Sequence, residues 1–564
     1  MSELKANDQK APGAGGGVMR ANINRREIVF LVVLVITLLF TYNKLNISKN
    51  RWTLHPDDHN VYYFSEVLLN TGHLSYESPF NAEYETLAFQ PRMDDAGEEG
   101  SDRYRTKADY SPGIYFLTCL GHFAGVSGPF VIVSLIGLAG ILFFYLFARE
   151  IFTRSIAMYS TVFLALSSAY AYWSNMLFTN IPALSFFMGG LYYLARSIKD
   201  GSKRRCYLLS AAFFVISVWI RYEYILFLAI VAVAVLIGYR HDLKGTYVLQ
   251  SVALMALMGA SVALINYFTM GSPVGMGAAA VAGRTAMDTT VKYAVSSFSL
   301  KAVLTNARMY IYGIAPALTV LGLLGIVLCL RRERNGFTCM LVAIALFALC
   351  YYGKNSGFWG YGENWLASSY TRYFLPVIMC LSLFGGVFTE RLVRSIPYRK
   401  IAIITGAVIL IAVTVTSLGV LFDNEFGLSF TDKYDGNRKS VEEYVSTLPE
   451  SSVVTDLTSD NYYRFIIVSR TVFNPSYFSE DELEERMIEV FEGLRADGVP
   501  LYIIDNIDRT LLDIEVFKKK HSHIQLTKVE HPILFQYGTR TPDIYRVEIA
   551  PDPGRLSTGH QDAP

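Results

Sequence analysis

The sequence predicts an α-helical polytopic membrane protein of about eleven transmembrane helices, with a small extracytoplasmic α/β domain at its C-terminus. Three observations predict it: long apolar blocks, basic residues recurring in alternate loops, and a change of pattern after Phe422. Of the 564 residues, 52% are hydrophobic and only 18% charged, against about 25% charge in an ordinary soluble domain. Segments 28–42 and 401–422 contain no charge at all. Runs approaching 20 apolar residues read as membrane spans, because hydrocarbon requires every backbone amide to be satisfied within the segment.

After the block at 28–42, further apolar blocks lie at 128–148, 155–172, 181–195, 206–220, 224–239, 248–268, 309–330, 337–352, 373–389 and 401–422. With the N-terminus inside, the cytoplasmic loops are Arg149–Arg154, Arg196–Arg205, Arg240–Lys244, Arg331–Arg334 and Arg391–Lys400. All are basic, as the positive-inside rule requires, and the C-terminus is then extracytoplasmic. The stretch 111–128 is apolar but opens near a proline and is broken by glycines and His122. A span there would invert the charge alternation, so it reads as an interfacial helix. Residues 1–27 read as a disordered cytoplasmic leader before an uncleaved first span. Residues 28–422 form the transmembrane domain, 423–550 the α/β domain and 551–564 a disordered tail. Within the α/β domain VVTDL, FIIVS and LYIIDN read as buried strands, and ELEERMIEVFEGLRADG as a helix with a glycine stop.

The balance of charges excludes little except nucleic acid, for which a strongly basic domain is wanting. The six cysteines fall in or beside the apolar blocks, none after Cys380, at spacings that match no metal motif.

Just past the first block stands His55-Pro56-Asp57-Asp58-His59. Adjacent carboxylates at a membrane face can act as a general base and its orienting partner, or hold a metal. The same residues read equally well as a helix N-terminus, with Pro at the first position and acids in the first turn. A second acidic cluster, Asp94, Asp95, Glu98 and Glu99, has no apolar anchor and reads as a solvated loop. Arg221 and Glu223 interrupt an apolar stretch where a hairpin turns, either as a functional pair or as a marker of the turn. Lys354–Tyr373 combines aromatic residues with Lys354 and Arg372. Aromatic belts account for the rings, but Arg372 directly precedes a span on the side where cations are disfavoured. A lipid phosphate would supply its counter-charge.

These motifs, taken in order, resemble the GT-C superfamily of polyprenyl-phosphate-sugar-dependent glycosyltransferases, in the branch of protein O-mannosyltransferases and the lipid A aminoarabinose transferase. The resemblance rests on Asp57-Asp58 followed by a helix through Glu66 to Gly72, on Pro112 to Tyr115, and on the Ala148-Arg149…Arg154…Ala157 turn. It continues through Arg221-Tyr222-Glu223, Asn266-Tyr267…Gly271-Ser272-Pro273 and Arg372-Tyr373…Pro376. The chain departs from the pattern in having Asp-Asp for Asp-Glu and Ser111 where a lysine is usual, with Lys107 as substitute. Asn180 stands where an acid is common.

The resemblance implies a GT-C-like catalytic domain in a multi-pass plasma-membrane protein that works on the outer face of the bilayer. Asp57 or Asp58 would deprotonate a hydroxyl acceptor on a protein, glycan or lipid. The hydroxyl would attack the anomeric carbon of a polyprenyl-phosphate-linked hexose or pentose, inverting it. Arg372, Arg221, Lys354 and Lys107 would hold the donor phosphate, and His59, Glu66, Glu223, Asn180 and Tyr373 are candidate substrate contacts. The residues require no cofactor and admit a divalent metal, its ligands unknown. The alternative is a polytopic lipid or solute transporter, which calls for discontinuous helices and internal repeats; the sequence displays neither.

Overall fold

The structure is a computed structural model. It describes residues 25–47, 56–77, 79–86, 89–90, 105–108, 110, 111–125, 127–200, 204–271, 273, 298–332, 336–354, 366, 370–422, 440–457, 469–475, 478–479, 481–505, 512–531 and 543–549. The leader before Arg25, the cluster Asp94–Glu99, most of FIIVS and the tail lie outside these residues. So do the side chains of Asp57, His59 and Lys107.

Every apolar block is helical. The helices of the bundle are α1 (Arg25–Ile47), α5 (Gly128–Ile151), α6 (Arg154–Leu166) with α7 (Ser168–Trp173), α8 (Asn180–Asp200), α9 (Arg204–Ile220), α10 (Tyr224–Tyr239) and α11 (Gly245–Met270). They continue through α12 (Leu300–Ala307), α13 (Pro316–Arg332), α14 (Gly336–Gly353), α15 (Leu375–Ser395) and α16 (Arg399–Leu421). By length and composition alone five of the described helices can cross a bilayer, or six when the bent pair Leu300–Tyr312 and Pro316–Arg331 is taken as one. At the centre, α15 is buried along nearly its whole length. Its neighbour α13 approaches closely because Gly325 faces Phe384, where a Cβ would come within 1.9 Å of the Phe384 carbonyl oxygen. By contrast α11 and α16 expose most of their apolar side chains, as helices facing lipid do.

Two blocks expected as continuous helices are broken. Between α6 and α7, Ser167 turns to an extended conformation (φ −63°, ψ 130°) and its Oγ accepts from the Tyr170 amide at 3.2 Å. That hydroxyl caps the second piece where a backbone partner is lost. In the block 309–330, a π-turn at Arg308–Tyr312 leads into Gly313–Ala315, and the chain bends by 115° before Pro316. Proline has no amide hydrogen and suits the first turn of the new helix. The two breaks meet: Ser168 Oγ donates to the Ile314 carbonyl at 2.9 Å. A freed backbone acceptor is satisfied inside the protein, as it must be at membrane depth.

Outside the bundle, α2 (Pro56–Thr71) follows the first span, and α4 (Pro112–His122) is a short helix separate from α5. Between them lie β1 (Ser75–Glu77), α3 (Pro79–Glu83), β2 (Phe89–Gln90) and β3 (Arg105–Lys107). The C-terminal part contributes β4 (Val453–Asp456), β5 (Thr471–Phe473), α17 (Leu483–Ala496), β6 (Leu501–Asp505), α18 (Ile514–Lys520), β7 (Ile524–Lys528) and β8 (Asp543–Ile549). Their sheet has the order β2-β5-β4-β6-β8-β7. Strands β5, β4 and β6 run parallel, and β8 and β7 close one side antiparallel.

The other edge strand, β2, comes from the loop after the first span. Phe89 and Gln90 pair with Phe473 and Val472, and the Phe89 ring lies 5.0 Å from that of Phe473. Asn81 ties β2 to α3 through paired bonds to the Phe89 amide and carbonyl, at 2.9 and 3.0 Å. The C-terminal sheet is thus completed by residues almost 400 positions upstream.

Candidate active site at the α9–α10 turn

Helix α9 ends at Ile220, and the next three residues turn the chain into α10. Arg221 sits in this turn, buried, with four contacts. Its Nη1 donates to Thr179 Oγ1 at 3.0 Å and to Asn180 Oδ1 at 3.1 Å. Its Nη2 donates to Glu223 Oε1 at 3.0 Å, and its guanidinium lies 4.9 Å from the Tyr373 ring centre. Burial works against the charge, but Glu223 and the surrounding tyrosines outweigh it and hold Arg221 above the usual arginine range.

Asn180, the first residue of α8, also donates through Nδ2 to the Arg372 carbonyl at 3.2 Å. One side chain therefore binds both the Arg221 guanidinium and the backbone that carries Arg372. The Arg372 guanidinium lies 4.0 Å over the Phe178 ring, 5.3 Å from Tyr373 and 5.8 Å from Trp173. An aromatic face attracts a cation, most strongly when water is excluded, and Arg372 is only 5% exposed. Tyr373 stacks on Tyr352 at 5.1 Å, and Tyr352 meets Tyr351 edge-on at 4.9 Å. The Lys354 ammonium lies 5.5 Å from the Tyr351 ring, and burial lowers its pKa from the ordinary lysine value. Aromatic contacts thus link three of the four cations of the sequence reading, with Glu223 as the carboxylate bound to Arg221, and the Lys107 side chain lies outside the described residues.

The Asn266 motif joins the same turn. Trp219 Nε1 donates to Asn266 Oδ1, and Asn266 Nδ2 donates to the Tyr222 hydroxyl, each at 3.2 Å. Helix α4 reaches the turn from the other side. Gly113 packs against the Trp219–Ile220 backbone, where a Cβ would come to 2.9 Å. From α4, the Tyr115 hydroxyl donates to Asn60 on α2 at 2.6 Å. His122 Nε2 is 2.8 Å from Ser65 Oγ of α2, and burial keeps the imidazole below its usual pKa. Asp58, 1% exposed, stands half a turn before Asn60 on α2. Glu66 is half-buried on the same helix. The backbone of Lys107 pairs with Ser75 in the short β1–β3 ribbon.

Two guanidinium groups and an ammonium, nearly buried among tyrosines, are of the kind that can hold a phosphate. Asp58, a buried carboxylate on α2, which packs on α4, is of a kind that can take a proton. Among the described residues, no three His, Cys, Asp or Glu side chains gather as metal ligands. The sequence reading missed Phe178, Trp173, Thr179 and Tyr352. All four lie in apolar or aromatic surroundings that look like ordinary membrane packing, and only their proximity to the arginines distinguishes them.

The comparisons with known proteins agree on architecture. A family model described as dolichyl-phosphate-mannose-protein mannosyltransferase matches residues 114–265. No curated protein matches the sequence. Among solved structures, ArnT from Cupriavidus metallidurans in the apo state is similar with a TM-score of 0.57 at 12% identity, covering 92% of this chain and 97% of that one. The same enzyme bound to undecaprenyl phosphate gives 0.58, again at 12% identity with 92% and 97% covered. The Archaeoglobus fulgidus oligosaccharyltransferase tethered to an acceptor peptide gives 0.54 at 12% identity, with 91% and 74% covered. The chain is thus a polytopic membrane protein with the GT-C glycosyltransferase fold, similar to the protein mannosyltransferase and ArnT branch.

Proposed function

We propose that this protein is an inverting glycosyltransferase that moves a sugar from a polyprenyl-phosphate donor to a hydroxyl acceptor at the outer face of the membrane. The observation that carries the reading is Asn180, which binds Arg221 and the Arg372 backbone at once and so sets two cations around one site. The solved ArnT complex with undecaprenyl phosphate supports a donor of that kind, and the mannosyltransferase family match supports the transfer.

In the proposed reaction Asp58 or Asp57 takes the acceptor hydroxyl proton while the oxygen attacks the anomeric carbon. The bond from that carbon to the phosphate oxygen breaks, and the lipid phosphate leaves with the electron pair. Arg221, Arg372 and Lys354 stabilise the charge that grows on the leaving oxygen, in surroundings where fixed cations act strongly. Sugar class and acceptor follow from a panel: polyprenyl-phosphate hexoses and pentoses are incubated with the purified protein and released polyprenyl phosphate is measured. Release from no donor with any hydroxyl acceptor sinks the reading.

The proposal includes the eleven-span threading with the N-terminus inside. Glu450, exposed beside the C-terminal sheet, is the residue to replace by cysteine. It should react with an impermeant maleimide in intact cells, and protection until permeabilisation reverses the sidedness. The broken helices α6–α7 and α12–α13 are a feature that transporters share. A transporter would move a polyprenyl lipid or solute across a vesicle bilayer without cleaving a sugar phosphate, which the same preparation can test.

A further inference from the structure

The short helix α12 and the π-turn after it supply no cation to the candidate site, yet they touch both segments that carry Lys354 and Arg372. Val303, Asn306 and Tyr310 follow one another at spacings of three and four, which places them on one face. Asn306 is fully buried, and its Nδ2 donates to the Gly353 carbonyl at 2.8 Å. Gly353 ends α14, and the last carbonyls of a helix have no partner within it. Asn306 therefore caps α14 at the residue before Lys354. Val303 lies beside the same glycine, where a Cβ would come to 3.4 Å from the Val303 Cα.

Tyr310, in the π-turn, reaches the other segment. Its ring stacks on Phe374 with centroids 5.9 Å apart and planes 8° apart, and it meets Tyr370 edge-on at 6.3 Å. These two rings flank Arg372, which stands in the single 3₁₀ turn Thr371–Phe374. The π-turn is closed by the Gly313 amide on the Arg308 carbonyl at 2.8 Å, and the Ser168–Ile314 bond ties its far end to α7. Turns of this kind are frequent at functional sites. Lys354 and Arg372 are too far apart in sequence for one to fix the other. The element α12 holds the residue before the first and the turn around the second.

We propose that Asn306 is a positioning residue for the donor phosphate: by capping α14 from an element packed on the Arg372 turn, it sets where the Lys354 ammonium stands relative to the Arg372 guanidinium. The inference rests on the reading that these two cations hold that phosphate. Without the cap the Gly353 carbonyl loses this partner, the end of α14 is released, and Lys354 has to be ordered again each time donor binds. A group held in place beforehand spares that cost.

The test is a double-mutant cycle on the full-length protein in detergent, with a polyprenyl-phosphate hexose as ligand and the uncharged polyprenol as reference. Asn306→Ala should weaken the phosphate ligand roughly 5- to 30-fold, the range set by ordering one long side chain, and leave polyprenol unchanged. In a Lys354→Met background the same substitution should change neither, because an effect transmitted through Lys354 disappears with it. Val303→Ala loosens the packing on Gly353 but keeps the hydrogen bond, and should discriminate as wild type does. Should Asn306→Ala fail to fold, Asn306→Thr, close to asparagine in volume but shorter in reach, is read in the same way. An equal penalty in both backgrounds, or an equal one from Val303→Ala, makes Asn306 ordinary packing and overturns the proposal. So does a folded Asn306 variant that discriminates as well as wild type. If Lys354→Met by itself binds the phosphate ligand as wild type does, the reading of the cations is at fault, and the inference falls with it.

Discussion

Replacing Asn180 by alanine is the sharpest test of the candidate site. The substitution removes the bond from Arg221 Nη1 at 3.1 Å and the bond to the Arg372 carbonyl at 3.2 Å. Hydrogen bonds to charged groups contribute about 1.5–3 kcal/mol and neutral ones about 0.5–1.5 kcal/mol. Both exist with or without donor, so most of that sum falls on local stability and not on affinity. What binding should register is order. Arg221 keeps Thr179 and Glu223 but loses the partner that sets its angle toward Arg372. Restoring one freed side chain on binding costs up to about 2 kcal/mol, which is roughly a 10- to 30-fold weaker donor Kd. The assay compares affinity for a polyprenyl-phosphate sugar with affinity for uncharged polyprenol. Asn180→Ala should lose the first and keep the second. A folded variant that discriminates as well as wild type, or that loses both ligands equally, refutes the reasoning.

Phe178→Leu removes the ring under Arg372 while keeping most of its volume, and should weaken preference for the phosphate by up to about 30-fold, given about 2 kcal/mol for a desolvated cation–π contact. Phe178→Tyr should restore it, and failure of that rescue would reduce Phe178 to packing. Asp58→Asn should slow transfer about 10²–10⁴-fold with donor affinity spared, as loss of a base does; unchanged turnover moves the role to Asp57. Burial lowers the Lys354 pKa, so its charge is lost at a lower pH than an ordinary lysine's. Donor affinity should therefore fall as pH rises toward that point, and Lys354→Met should be weaker below it and lack this limb; a limb that persists belongs to another group. Phe89→Ala deletes the ring packed at a tilt against Phe473 and should cost about 3–5 kcal/mol locally; amide exchange in β5 should quicken, and unchanged exchange would show that β2 is dispensable.

Much of this protein was legible in its sequence because membranes impose local rules. An apolar block must be helical whatever surrounds it, so all eleven blocks are found as helices or helix pairs. The α/β character of the C-terminal part followed from short apolar runs and one amphipathic helix, and β4, β6 and α17 lie on them. Arg221, Glu223 and Arg372 could be picked out singly, because a charge beside an apolar run stands out, whereas Asn180 and Tyr373 came into view only through the family resemblance.

Other features were decided by contacts between distant parts of the chain. Asn180 could be read as a departure from a pattern, but that it bridges Arg221 and the Arg372 backbone depends on α8, the α9–α10 turn and residue 372 meeting. Phe178 and Trp173 carry no mark in an aromatic-rich sequence; they matter because a guanidinium lies over them. The breaks at Ser167 and Gly313–Ala315 hide within apolar runs, since a run reports hydrophobicity and not continuity. They persist because Ser168 from one break satisfies the Ile314 carbonyl of the other. The strand at Phe89–Gln90 is too short to signal itself and forms because β5 offers it an open edge. Spans and their order are properties of local composition, which sequence records directly. Sites, breaks and borrowed strands are properties of which surfaces meet, and the tertiary structure alone decides that.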